Sequence, residues 1–323
     1  SFIPKEYWKI FVDLKKDGHD DFITAELEKI KGEKFEMSSE SEAGQIAGAL
    51  RAEEFMISKI SESQRQRKPL PPFITSTLQQ DAFNKLGFNA DRTMRVAQQL
   101  YEGIEVGGGE TVGLITYMRT DSVNISNEAM GKVRAFIQEQ YGKDYLPEEP
   151  VKYKSKKSAQ EAHEAIRPSD IDRRPQELKK FLDSDQYRLY ELIWNRFASS
   201  QMVPAVFKNH KIEITAGDFQ FGVSGSNLVF DGFLKIYRDE DEEESAVDFS
   251  HYEKGGCLKL MEVKPSQHFT KPPPRFSDAS LVKALEEQGI GRPSTYASII
   301  QTLVFRNYVL RQKGYFQDRK SVV

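Results

Sequence analysis

Hydrophobic period changes twice along this chain, and that change constrains its fold more than any other feature. Between about residues 68 and 203 apolar side chains recur every three or four positions. On either side of that block they fall in short runs bounded by Gly, Asn or Asp. The first pattern belongs to helices with one buried stripe, the second to strands and hairpins. In the middle block, TSTLQQDAFNKLGF (75–88), ADRTMRVAQQLYEG (90–103), SNEAMGKVRAFIQEQYG (126–142) and DSDQYRLYELIWNRFASSQM (183–202) predict helices, with Gly87, Gly103 and Gly142 near their ends. Outside it, EYWKIFVDL (6–14), KIEITA (211–216), DFQFGVSG (218–225), NLVFDGF (227–233) and CLKLMEV (257–263) predict strands. SESEAGQIAGALRAEEF (39–55) predicts a helix capped by Ser39 or Ser41.

Such segregation over 323 residues implies two or three domains rather than one core. The expected class is multidomain α+β. A discontinuous β-rich domain, residues 1–67 and 204–263, would accept an all-helical domain, 68–203, as an insertion. The prolines of RKPLPP (67–72) and MVPAV (202–206) mark the two crossings, because Pro interrupts helix and sheet alike. Three independent domains in series is the alternative. Residues 264–323 form a third, partial unit: a helix capped by Ser277, a stop at Gly289 and Gly291, a second helix capped by Ser294, then a β-like YVLRQKGYF. That order resembles a winged helix, which is either a DNA-binding unit or a small packing module.

The formal charge of −3 disfavours a polyanionic partner only as an average. Residues 264–323 carry 10 basic and 4 acidic side chains, a balance suited to salt-dependent binding of nucleic acid. Much of the acidity sits in DEDEEE (239–244), read as a solvated loop, and EGIEVGGGETVG (102–113) reads as a surface hairpin. The single Cys257 excludes a disulfide framework and a cysteine zinc site within these residues. No apolar run approaches the ~20 residues of a membrane span, and SFIPKEYWKI lacks the pattern of a signal peptide. A cytoplasmic setting with no membrane partner is the expectation.

Three segments combine reactive or phosphate-binding residues with structure-breaking neighbours. In GLITYMRTDSVNIS (113–126) an extended strand end would put Tyr117, Arg119 and Asp121 on one face. A phenol with a pKa of about 10 is a poor nucleophile unless a cation stabilises the developing charge, and Arg119 is placed for that. Most tyrosines beside arginines are structural, so the trio alone decides nothing. In SAQEAHEAIRPSD (158–170), helical spacing would put His163 and Arg167 on one face, able to hold a phosphate with His163 as donor or proton relay. HEAIR is not a zinc HExxH motif, because Arg167 stands where the second histidine belongs, and no metal site is expected. In GIGRPSTYAS (289–298), Arg292, Ser294 and Thr295 lie at a helix start whose free N–H groups favour anions, although ordinary capping explains Ser294 equally well.

Together these segments resemble the type IA DNA topoisomerases, specifically the bacterial topoisomerase I branch. The resemblance rests on PFITSTLQQ (72–80), ITYMRTDS (115–122), EAHEAIRPSD (161–170) and HFTKPPPRFSDASLVKALEEQGIGRPSTYASII (268–300), in that order. It implies that Tyr117 is the nucleophile that forms a 5′-phosphotyrosyl link to single-stranded DNA, and that Arg119 positions the scissile phosphate. It implies that His163 lies near the active site and that Arg292 and Thr295 grip the bound strand; Ser294 and Arg167 join them as candidate DNA contacts. The implied activity is ATP-independent cutting and rejoining of one strand to relax negatively supercoiled DNA, by a monomer in the nucleoid-containing cytoplasm. The family's magnesium is held by a toprim domain that these residues do not resemble, and zinc ribbons are also missing. The chain then reads as a fragment of two arch-forming domains and part of a DNA-binding domain, inactive alone. A non-enzymatic single-stranded DNA-binding or scaffold module, or the topoisomerase half of a reverse gyrase, are the alternatives.

Overall fold

The computed structural model describes residues 2–154, 163–238 and 248–319. The acidic run 239–244 and the first part of the 158–170 segment lie outside the described residues. In chain order the first elements are β1 (Glu6–Lys15), β2 (Phe22–Ile30), α1 (Glu40–Leu50) and β3 (Phe55–Arg67). They are followed by α2 (Thr75–Asp81), α3 (Ala90–Glu102), the two-residue strands β4 (Ile104–Glu105) and β5 (Thr111–Val112), α4 (Asn127–Tyr141), α5 (Pro175–Leu178) and α6 (Ser184–Ser200). The rest are β6 (Ala205–Ala216), β7 (Phe219–Phe230), β8 (Cys257–Phe269), α7 (Asp278–Glu287), α8 (Tyr296–Phe305), β9 (Val309–Gln312) and β10 (Tyr315–Asp318). Among the described residues no helix is long and apolar enough to cross a membrane.

The chain divides into two compact units. The first comprises Ser1–Arg67, Val206–Phe230 and Glu240–Pro273. Its strands close into a six-stranded barrel in the order β1-β2-β7-β6-β3-β8. Closure leaves no unpaired edge, so every strand can bury alternate side chains against one interior. Ile10, Val12 and Leu14 of β1, Ile23 and Ala25 of β2, Ile212 and Ile214 of β6 and Phe221 of β7 fill it, with Leu50 of α1. Two strands, β2 and β3, are absent from the sequence expectations. The predicted segments 218–225 and 227–233 are one continuous strand, β7, and β8 runs six residues beyond the predicted 263 to Phe269.

The second unit comprises Lys68–Ala205, Asp231–Asp239 and Pro274–Val323. Its helices begin where polar caps allow: Asn89, Ser126 and Asp183 each accept an N–H from the first turn of α3, α4 and α6. α2 passes directly into a π-helical turn over Ala82–Leu86, which stops at the left-handed Gly87. The core of this unit is not purely apolar. Arg196 of α6, only 4% exposed, donates to the Pro71 carbonyl at 2.7 Å and to Asp81 at 3.0 Å, while its guanidinium covers the Phe73 ring. Tyr237 donates to the same carboxylate, so the Asp231–Asp239 segment packs here and not with the strands that flank it.

The expectation of a separate 264–323 domain therefore needs correcting. Residues up to Phe269 complete β8 of the barrel, and α7, α8 and the β9–β10 hairpin join the helical unit. Val282, Leu285, Tyr296, Ile300 and Phe316 share a core with Ala90 at the start of α3. Asp278 reinforces that junction by accepting the Ala90 N–H at 3.3 Å and a bond from Arg311 at 2.9 Å. The hairpin turns on Lys313 and Gly314, both at positive φ, as a two-residue turn between twisted strands requires.

Candidate active site around Tyr117

The segment 114–122 is not a strand beyond one isolated bridge between Ile115 and Pro168; bends at Thr116, Met118 and Arg119 break the expected strand end. Alternation of burial nevertheless persists. Met118, Thr120 and Ser122 are buried, while Tyr117 is 42% exposed and Arg119 and Asp121 are half-buried. Polar side chains hold this irregular backbone in place of a ladder. At the start of α2 the Thr75 N–H donates to the Thr120 carbonyl, and its hydroxyl accepts the Thr120 N–H at 2.9 Å and reaches the Met118 carbonyl at 2.7 Å. On the other side Thr116 donates its N–H to the Arg167 carbonyl and its hydroxyl to Ala165 at 2.6 Å, and accepts the Arg167 N–H at 3.0 Å.

Those bonds overturn the expected helix from His163, the first described residue of that segment, onward. His163 to Pro168 is not helical, because the backbone of Ala165, Ile166 and Arg167 is committed to Asn124, Phe73 and Thr116 on neighbouring segments, and that of Ser169 to Leu114. Consequently Arg167 does not share an open helix face with His163. It is 9% exposed, ion-paired with Glu164 at 2.6 Å and bonded to the Pro168 carbonyl, with its Nε buried and unpartnered. His163 stands apart from that pair, its ring edge-on to Tyr117 at 6.2 Å between centroids. Tyr101, from the last turn of α3, flanks the Tyr117 ring in the same manner at 5.4 Å. The glycine-rich hairpin predicted at 102–113 follows it as β4 and β5.

Arg119 links this loop to the third segment: its guanidinium donates to the Ser294 carbonyl at 2.9 Å. The cap of α8 is Thr295 and not Ser294. Thr295 accepts the Arg292 N–H at 2.8 Å through its hydroxyl, and the N–H groups of Thr295 and Tyr296 bond the Arg292 carbonyl. Two of the N–H groups expected to attract an anion are thus occupied. Gly291 is required here: its φ is +81°, and a Cβ would come within 2.8 Å of Ile299 and 3.1 Å of the Thr295 hydroxyl. Arg92, Arg95 and Gln98 belong to α3; Arg95 and Gln98 line one groove with Arg119, Pro293, Ser294 and Ser298. The structure therefore brings together Tyr117, His163, Arg119 and Ser294, and it sets Arg167 behind them. Thr75 and Thr116, which sequence reasoning missed, hold the loop.

A model of a DNA topoisomerase family matches residues 1–320 of this chain. The chain belongs to the DNA topoisomerase family. "DNA topoisomerase 1" of Rickettsia bellii is 47% identical over 98% of the chain and 40% of its own length. The protein of the same name from Xylella fastidiosa is 45% identical over 96% of the chain and 39% of its own length. Among solved structures, full-length topoisomerase I from Thermotoga maritima is similar with a TM-score of 0.82 and 37% identity, covering 98% of the chain and 50% of that one. The chain spans about two fifths of the length of these curated topoisomerase relatives.

Magnesium is the metal that this topoisomerase resemblance implies. Among the described residues, the group of three His, Cys, Asp or Glu side chains that converges on one point is His19, Asp21 and His251, all in the barrel unit. Around Tyr117 the described residues bring no such group together: His163 stands beside the ring and the Arg119 guanidinium, which has no lone pair to offer a metal, lies two residues on. They do not make a site for a hard cation that favours carboxylates and phosphates.

Proposed function

We propose that this chain supplies the nucleophile and part of the strand-binding surface of a type IA DNA topoisomerase. One observation carries the reading: Tyr117 is an exposed tyrosine, edge-on to His163 and two residues from Arg119, on an irregular loop held from both sides by the hydroxyls of buried Thr75 and half-buried Thr116. An irregular, pre-organised loop is what aiming a nucleophile at a bulky phosphodiester demands. The Tyr117 oxygen attacks phosphorus, the bond to the 3′ oxygen breaks, and the DNA end stays on the protein as a 5′-phosphotyrosyl ester. Arg119 exchanges the Ser294 carbonyl for the scissile phosphate and offsets the charge that builds there. His163 relays the phenolic proton. Attack by the 3′-hydroxyl reverses the step, and because the phosphotyrosyl bond conserves the energy of the broken one, no ATP is needed.

In this reading the barrel unit and the helical unit correspond to a discontinuous arch domain with a tyrosine-bearing insertion. Arg292, Ser294 and Thr295 border the single strand, and the magnesium ligands come from a part of the enzyme outside these residues. The enzyme acts as a monomer in the cytoplasm, and this chain alone does not relax plasmid DNA. The test is the Tyr117→Phe variant in a protein of full family length that contains this chain. Strand cleavage should disappear by ~10³-fold or more while binding of a single-stranded oligonucleotide stays within about twofold; undiminished cleavage overturns the assignment.

A further inference from the structure

We propose that the barrel unit carries a site for a divalent transition-metal ion of zinc-like character, built by His19, Asp21 and His251 with Asp248 beside them. The ligand atoms of His19, Asp21 and His251 lie within 4.8 Å of one another, on the β1–β2 connection and on the segment that leads into β8. Strands β1 and β8 are paired with Lys15 opposite Lys259, so both segments emerge at the same end of the barrel. The two imidazoles stack at 4.2 Å with their planes 10° apart. His251 Nε2 is buried and makes no hydrogen bond, although Asp21 Oδ2 lies 3.3 Å away. A buried ring nitrogen without a partner is costly unless something fills its lone pair. Asp248 Oδ2 is 4.0 Å from the other ring nitrogen, Nδ1.

The other charges nearby are already committed. Lys16 donates to the His251 carbonyl, which fixes the backbone of the ligand, and its ammonium faces Glu253 at 3.9 Å. Two imidazoles with one carboxylate is a donor set for zinc and its first-row neighbours, whereas magnesium and calcium favour oxygen alone; Asp248, on the Nδ1 side of the His251 ring, would orient that imidazole from outside the ligand set. Tetrahedral ligation with bonds of 2.0–2.1 Å needs ligand atoms about 3.4 Å apart. The set must therefore contract by up to about 1.4 Å and the rings must leave their stack, an adjustment between two connecting segments. A bound ion would staple the β1–β2 connection to the start of β8 and stabilise the closed barrel by mass action.

Zinc chloride titrated into the purified 323-residue chain, followed by calorimetry and by thermal unfolding, tests this. The expected result is one zinc per chain, a raised unfolding midpoint, and binding unaffected by excess magnesium. His251→Asn and His19→Asn should each weaken zinc binding by roughly 100-fold, while His268→Asn, at the far end of β8, leaves it unchanged. His19 is half-buried on a connection, so its variant remains informative if His251→Asn unfolds. Absence of saturable binding, or zinc affinity that survives His19→Asn, overturns the proposal.

Discussion

The two units solve the same problem, satisfying buried backbone, in opposite ways. In the barrel each strand pairs with two neighbours and the interior is apolar from Ile10 to Phe221, so most backbone hydrogen bonding falls to the ladder, with hydroxyls such as Ser58 adding bonds between β3 and β6. In the helical unit the segments at 114–122 and 163–169 belong to no helix and no extended ladder. Their backbone groups are met by scattered main-chain bonds to Asn124, Phe73 and each other, and by the hydroxyls of Thr75 and Thr116. A closed sheet holds itself; an irregular loop needs side chains committed to holding it, and those commitments leave Tyr117 exposed in a fixed place. The difference teaches where the proposed nucleophile sits: where backbone regularity is given up and polar side chains help replace it.

The largest expected effects separate the two units. Phe55, buried in the barrel against Phe221, should cost about 3–5 kcal/mol when replaced by alanine, through lost burial and the cavity left behind. Hydrogen exchange should then rise in β1 to β3 while residues 163–169 keep their protection. Arg196→Met should do the converse at a cost of about 2–3 kcal/mol, because the half-buried Asp81 carboxylate keeps only Tyr237 as a partner and the Pro71 carbonyl loses its donor. Equal loss of protection in both units after either change would break the comparison.

A smaller change should sharpen it. Thr75→Val keeps the shape and removes the hydroxyl that accepts the Thr120 N–H. It should cost about 1–3 kcal/mol, and because Tyr117 shifts with the loop, cleavage by the full-length enzyme should fall by ~10–100-fold without weaker DNA binding. The smallest effect concerns pH. The bond from Arg92 holds the Asp185 carboxyl below the ordinary carboxylate range, against a weaker opposing effect of burial. A depressed pKa means that the pair stabilises the fold above the unfolded value and that the contribution is lost as pH falls through the folded one. Thermal midpoints measured from pH 7 down to acid should fall less steeply in Asp185→Asn than in the parent chain; parallel curves would show that the pair contributes nothing.

The helices were legible because two local signals coincide in them, a three-to-four-residue stripe and a polar cap, as at Asp183 and Ser277. Strand β3 had neither alternation nor apolar content to announce it. Of FMISKISESQRQR only Phe55 and Ile57 are buried, and the rest is held in the sheet by barrel closure, a long-range fact. β2, written FITAELEKI, is rich in helix formers and yields to its neighbours β1 and β7. The same competition explains residues 163–168: Glu, Ala and Arg favour a helix locally, but pairing with Phe73, Thr116 and Asn124 keeps them out of one. At the site, Tyr117 and Arg119 were visible in one motif and His163 in another, and the alternation that exposes Tyr117 was visible too. Nothing local distinguished Arg167, turned inward to Glu164, from an arginine awaiting a phosphate, and nothing assigned the cap of α8 to Thr295 over Ser294. Thr75, in the run ITST ahead of a helix, was the one available hint of a loop anchor.

The central claim is that Tyr117, and not the tyrosine packed 5.4 Å from it, carries the DNA. Incubating the full-length enzyme with a single-stranded oligonucleotide, denaturing it during turnover, and mapping the nucleotide-bearing peptide by mass spectrometry measures this directly. The account predicts a nucleotide on Tyr117; a nucleotide on Tyr101 or on any other residue would contradict it.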